Sequence, residues 1–331
     1  MKRALACLCL LSLTGCGTGH ARVSPSLRPA PNVLVYATAP PTRHWVPRTE
    51  NVWRANVDGG HPKLIARNSS DPTVSPDGRS IAYDHGGDVL VVPAAGGKPR
   101  IVYRDGAYPT WAPDSRHLAV SGGDGLVVIL DLKTGTKHAI PGDAGTPSFS
   151  PDSTRVVYSV GRTGGDLYVA SIDGGRPIRI TDDRRSSGPV WGPDGIAFVR
   201  YARAHDWHND IWLTGPRPNA AHQLTHLNSD IYPVAFSKDG KELLAAYPAF
   251  HNGQLWAVDV PTGRARAITP SVGDLNPRGL SDDGRTVLAS VGCPDVAMPS
   301  PYGVLETIPF AGGKSHIIVR GPCSGSWNAD F

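Results

Sequence analysis

The 331-residue sequence predicts an all-β fold, a seven-bladed β-propeller of four-stranded antiparallel blades whose ring is closed by the C-terminal strand joining the N-terminal blade. Three observations predict it. The phrase Pro72-Thr73-Val74-Ser75-Pro76-Asp77-Gly78 is echoed from Pro109, Pro147, Pro189, Pro233 and Pro277, each time followed by β-rich runs. Successive prolines stand 109−72=37, 147−109=38, 189−147=42, 233−189=44 and 277−233=44 residues apart, the length of a propeller blade rather than of a shorter solenoid repeat. A degenerate copy, Gly325-Ser326-Trp327-Asn328-Ala329-Asp330, lies at the C-terminal end, and residues 33 to 67 hold only three strand-like runs. Joined, they make one blade and hide the edges that would otherwise template aggregation.

Each element follows from local chemistry. The first blade reads Val33 to Ala37, Asn51 to Val57 and Lys63 to Ala66, with Ser326-Trp327-Asn328 as its inner strand. In the second, Thr73-Val74 begins an inner strand, Pro76-Asp77-Gly78 turns, Ser80 to Tyr83 and Val89 to Val92 are the middle strands, and Arg100 to Tyr103 is the outer one. Proline presets φ at the first corner, aspartate bonds the following backbone, and glycine accepts the left-handed conformation. A second set of turns, including Asp58-Gly59-Gly60, Lys133-Thr134-Gly135, Asp173-Gly174-Gly175 and Pro261-Thr262-Gly263, joins third to fourth strands. The blades are expected at about 32–70 plus 325–331, 71–106, 107–145, 146–187, 188–230, 231–274 and 275–324. Gly 38 and Pro 31 recur in register at these turns, so they signal hairpins rather than disorder, and no linker divides 32–331 into two domains.

The first residues predict export. Lys2-Arg3 is a positive n-region, and Ala4 to Leu13 is an apolar run too short for the roughly 20 residues that span a bilayer. Leu13-Thr14-Gly15-Cys16 follows and resembles the bacterial lipobox. That resemblance implies a lipoprotein signal peptide at 1–15, an acyl lipid on Cys16, a flexible tether over 16–31, and a propeller held on the extracytoplasmic side of the cell membrane. An ordinary signal peptide cut nearby is the other reading. With Cys7 and Cys9 in the signal, only Cys293 and Cys323 remain. In an exported protein an even pair is expected as a disulfide, the alternative being two buried thiols. Lys+Arg 33 against Asp+Glu 29 gives +4, or 4−2=+2 once Lys2 and Arg3 leave, with the basic residues scattered; nucleic acid is not an expected partner.

The repeat phrase resembles that of the TolB-like, WD-repeat-like β-propeller family. Phe149-Ser150-Pro151-Asp152, with Leu167 to Gly175 and Ile178-Arg179-Ile180-Thr181, carries the likeness best, and it extends over almost everything from residue 33. The family hosts scaffolds, receptors and enzymes, so the resemblance implies a fold more than an activity. The chain departs from the periplasmic TolB pattern in lacking an α/β domain before the propeller, in counting seven blades rather than six, and in its lipid signal. The Gly-x-Ser-x-Gly nucleophile of the related prolyl oligopeptidases is absent.

Candidate site residues come from loop length. Loops joining second to third strands, and outer strands to the next inner strand, share one face; they expand at Pro40–Thr49, Ala202–Asp210 and Gly292–Tyr302, while the Pro-Asp-Gly turns stay short. Long loops on a rigid scaffold are where recognition is built. His44, Trp45, His205, Trp207, His208 and His251 are the first candidates to contact a protein, peptide or envelope polymer. His44, His85, His205, His208 and His251 also offer imidazoles to a divalent metal, although no spacing among them is a metal motif. No cofactor loop, nucleophile–base set or paired carboxylates stands out. The sequence therefore favours a monomeric, non-catalytic binding scaffold; the alternative is a metal-assisted lyase or hydrolase acting on a glycan or cyclic peptide.

Overall fold

The computed structural model describes residues 33–38, 50–122, 126–140, 147–161, 164–203, 208–218, 220–247, 253–270, 275–281, 283–291, 303–320 and the backbone of 329–330. Among these residues every sheet is a four-stranded antiparallel blade, and there are seven. The first consists of β1 (Val33–Thr38), β2 (Asn51–Asn56) and β3 (Lys63–Arg67), and the second of β4 (Ser69–Val74), β5 (Ser80–His85), β6 (Asp88–Pro93) and β7 (Arg100–Tyr103). The third is β8 (Gly106–Trp111), β9 (His117–Gly122), β10 (Val127–Asp131) and β11 (Lys137–Ile140), and the fourth is β12 (Ser148–Phe149), β13 (Arg155–Val160), β14 (Asp166–Ser171) and β15 (Ile178–Arg179). The fifth is β16 (Ser186–Trp191), β17 (Ile196–Tyr201), β18 (Asn209–Thr214) and β19 (His222–Gln223), followed by β20 (Tyr232–Phe236), β21 (Glu242–Tyr247), β22 (Gln254–Asp259) and β23 (Ala265–Ala267) in the sixth. The seventh is β24 (Leu275–Leu280), β25 (Thr286–Val291), β26 (Val304–Pro309) and β27 (His316–Arg320). Finally β28 (Ala329–Asp330) pairs antiparallel with β1, Val33 opposite Asp330 and Leu34 opposite Ala329, and closes the ring. Trp327, expected in that closing strand, lies outside the described residues.

The core lies between blades. Seven apolar clusters each join neighbouring blades, and the one containing Leu34, Tyr36 and Ala55 together with Leu288 and Leu305 seals the last blade to the first. The inner-strand aromatics act as spacers: Trp111 is 7% exposed, and its indole donates to the Thr73 carbonyl of the preceding blade at 3.2 Å.

The repeat phrase has a physical reason at each position. The Ser75 hydroxyl donates to Asp77 Oδ1 (2.6 Å) and accepts the Ser80 N–H (2.9 Å), while Asp77 Oδ1 accepts the Arg79 N–H (3.0 Å). The same bonds recur from Ser150, Ser237 and Ser281 to Asp152, Asp239 and Asp283. The copy in the third blade has Ala112 instead, and there the carboxylate of Asp114 lies 2.6 Å from Nδ1 of His117. The repeated proline has a different role. Inner strands β4, β8 and β16 bulge between Ser70 and Thr73, Ala107 and Thr110, and Ser187 and Val190, with Pro72, Pro109 and Pro189 inside the bulges. A bulge on an edge strand accommodates a residue that cannot donate to the ladder. These three inner strands thus begin before the proline, at Ser69 rather than Thr73 in the second blade, whereas β12 begins after Pro147; in β4 and β8 the residue ahead of the proline turns left-handed (Asp71 φ 48°, Tyr108 φ 55°).

Candidate binding face

Strand direction places the connections between second and third strands, and between blades, on one face of the ring. Connectors between first and second strands occupy the other, and they are uniformly short, as between Val74 and Ser80 or Phe236 and Glu242. On the first face β1 ends at Thr38 and β2 begins at Asn51, β17 ends at Tyr201 and β18 begins at Asn209, and β25 ends at Val291 and β26 begins at Val304.

Of the residues singled out from sequence, His44, Trp45, His205, Trp207, His251, Cys16, Cys293 and Cys323 lie outside the described residues. His85 is exposed at the end of β5, its Nδ1 3.0 Å from the Ser69 hydroxyl. His208 is exposed immediately before β18, and its carbonyl accepts the Ala202 N–H at 2.9 Å, pinning the base of that loop. Among the described residues no three His, Cys, Asp or Glu side chains are grouped to hold a metal ion.

Strand register creates two features on this face that the linear sequence conceals. The first is a carboxyl pair. The bulge in β4 carries Asp71 to Asp84 near the end of β5, and the Tyr108 N–H of the next blade donates to Asp84 Oδ2 at 3.1 Å. Asp84 is only 9% exposed; its burial, opposed by the Tyr108 bond and reinforced by the Asp71 charge, pushes its pKa from an ordinary 3.8 up to about 7. Tyr108 itself is 65% exposed. Asp71 and Asp84 are neighbours only because of the bulge and the antiparallel register.

The second is a cleft of about 290 Å³ where the fifth blade faces the fourth, lined by Arg185, Arg200, Tyr201, Asn209, Asp210 and Trp212 among others. Arg200 pairs through Nε with Asp183 at 2.5 Å, and its guanidinium lies over the Trp212 ring at 4.2 Å and the Phe198 ring at 5.4 Å. Burial, followed by the charge of Arg185, holds its pKa below the usual guanidinium range even though Asp183 pulls the other way. Arg185 itself donates from Nη1 to the Ala202 carbonyl at 2.9 Å. Asp210 is engaged by its own blade, accepting from Thr225 Oγ1 (2.8 Å), the Leu227 N–H (2.7 Å) and Gln223 Nε2 (3.1 Å). Such a site can hold an anionic group against a fixed cation. Sequence patterns give no hint of it, because Arg185, Arg200 and Trp212 come from three segments that only the blade assembles.

Comparison with known proteins agrees with this architecture. Among curated proteins, a Protein TolB homolog of Chlorobium luteolum is 28% identical over 124 residues, 37% of this chain; the match spans 28% of that protein's length. Among solved structures, the β-propeller domain of the Trilobed protease from Pyrococcus furiosus, described as having an open velcro topology, superposes with a TM-score of 0.63 at 14% identity, covering 87% of this chain and 94% of that one. An oligogalacturonate lyase in complex with manganese gives 0.59 at 14% identity, covering 87% and 85%. Likenesses of this identity speak to fold alone. The TolB β-propeller domain family matches residues 94–293, from the second blade into the seventh. With more than half of its length matched, the chain belongs to the TolB β-propeller domain family.

Proposed function

We propose that this protein is an extracytoplasmic lipoprotein, anchored to the cell membrane through Cys16, whose propeller is a non-catalytic scaffold that binds a protein, peptide or envelope polymer on its loop-bearing face. The observation that carries the reading is the asymmetry of the two faces. Connectors on the Ser-Pro-Asp-Gly face are short and occupied by their own hydrogen bonds, whereas the opposite face concentrates the long connections, the exposed His85 and His208, and the cleft beside Arg200. A ring needing only to fold gains nothing from lengthening one face selectively. Two acyl chains or more hold a membrane durably, and residues 16–31 give the face freedom to meet its partner.

The test replaces Trp45, Trp207 and His208 together with Ala, verifies an unchanged melting profile, and measures capture of envelope proteins and polymers by crosslinking. Capture falls severalfold if the loops carry recognition; capture equal to wild type refutes the reading. Anchoring is tested separately, since Cys16→Ser should release the chain from membranes and abolish the lipid adduct seen by mass spectrometry. Stoichiometric transition metal on the purified chain would instead favour the metal-assisted lyase or hydrolase.

A further inference from the structure

We propose that the cleft between the fourth and fifth blades is a carboxylate-binding site whose ligand is a peptide segment, presenting a terminal or side-chain carboxylate to Arg200 and Arg185. The chemistry begins with how Arg200 is used. A guanidinium offers five N–H donors, arranged so that one edge takes a first carboxylate and another edge remains for a second. Asp183 lies against Nε as an ion pair, although neither Nε nor Asp183 Oδ2 has a directed hydrogen-bond partner, and no hydrogen bond joins either Nη atom to another described residue. Contact with the Trp212 and Phe198 rings holds the guanidinium at the cleft wall. Arg185 adds a second cation, close enough for its charge to be felt at Arg200. Of the acidic side chains nearby, Asp183 is paired with Arg200 and Asp210 is engaged by Thr225, Leu227 and Gln223, while the exposed Asp182 adds a further negative charge that a ligand carboxylate must out-compete.

Nothing in the blade fold demands this arrangement. Positions corresponding to Arg200 on the second strands of the other full repeats are His85, Gly122, Val160, Tyr247 and Val291, of which none is an arginine. A peptide fits better than a sugar for two reasons. About 290 Å³ accommodates a side chain or chain end rather than an oligosaccharide, and the guanidinium already covers the Trp212 face on which a pyranose would stack. The inference deepens the reading of this face as a binding surface and rests on it for biological setting.

The experiment follows the arginine Nε–H and tryptophan indole NMR signals of the full-length chain during titration. Three probes are used: acetyl-glycyl-alanyl-alanine with a free carboxylate, the same peptide amidated, and digalacturonate. The free acid should move the Arg200 and Trp212 signals while the amide leaves them in place. Arg200→Lys keeps a cation for Asp183 but loses the paired Nη donors, and it should weaken binding about tenfold or more. Arg185→Gln, at a partly exposed position, should weaken binding in the same direction without affecting the melt. Equal binding of acid and amide, undiminished binding by Arg200→Lys, or no movement of either signal overturns the site. Tighter binding of digalacturonate overturns the peptide assignment. If envelope capture is unaffected by the loop substitutions while these shifts persist, the scaffold reading fails and the carboxylate site stands.

Discussion

At the scale of single residues, the repeat phrase is a hydrogen-bonding device, and its members differ in importance. Ser150 is 1% exposed; its hydroxyl bonds to Asp152 and accepts from Arg155, and that serine first, with Thr154, lowers the Asp152 pKa to about 2. Ser150→Ala should cost about 1–3 kcal/mol in urea unfolding, because the Arg155 N–H and the carboxylate lose a buried partner. A change below about 0.5 kcal/mol would mean that the turn is held by its backbone alone. Asp84 behaves in the opposite sense. With its folded pKa raised to about 7, it imposes no penalty below the ordinary value of 3.8, a growing one between 3.8 and about 7, and a constant one above that. Stability should therefore fall by on the order of 2–4 kcal/mol between about pH 4 and 8, and Asp84→Asn should flatten that profile. A variant whose melting temperature tracks wild type across this range would contradict the assignment. The Ser-Pro-Asp-Gly chemistry was legible in the sequence because it is local and repeated. The Asp71–Asp84 pair was not, since it depends on a bulge that shifts the register of β4 against β5.

At the scale of elements, turns that look alike in sequence differ in what surrounds them. Gly135 and Gly263 end similar Thr-Gly turns with φ of 78° and 70°. A Cβ at Gly135 meets nothing within 4 Å, whereas one at Gly263 would lie 2.1 Å from the Leu224 carbonyl of the preceding blade. Gly135→Ala should thus cost about 1 kcal/mol from backbone strain alone, and Gly263→Ala distinctly more, through displacement of β22–β23 against the fifth blade. Equal costs in thermal unfolding would show that the close approach is relieved freely. Strand order and hairpin positions could be read from proline spacing, yet inner strands β4, β8 and β16 start earlier than the proline because its missing N–H is absorbed inside a bulge. The Arg200 cleft escaped the sequence for a related reason. Arg185, Arg200 and Trp212 occupy a loop and two strands, and no linear spacing records that they converge.

At the scale of the whole molecule, ring closure and the inequality of the two faces are the main conclusions. Deleting residues 329 to 331 removes the partner of Val33 and Leu34, both nearly fully buried, and should lower the melting temperature by at least a few degrees, given about 2 °C per kcal/mol for a domain of this size. An unchanged melt would mean that the ring holds without this strand. The proposed Cys293–Cys323 bond would reinforce the same seam by constraining the unfolded chain, and a non-reducing peptide map that finds two free thiols in exported protein would eliminate it. The most direct measurement of the functional claim is photo-crosslinking in cells, with the probe placed singly at His208 or at His226, exposed in the connection from β19 to β20, on the loop-bearing face and at Asp152 or Asp239 on the turn face. Partner adducts from the first pair and none from the second are the predicted result. Adducts formed equally from both faces, or from the turn face alone, would contradict it.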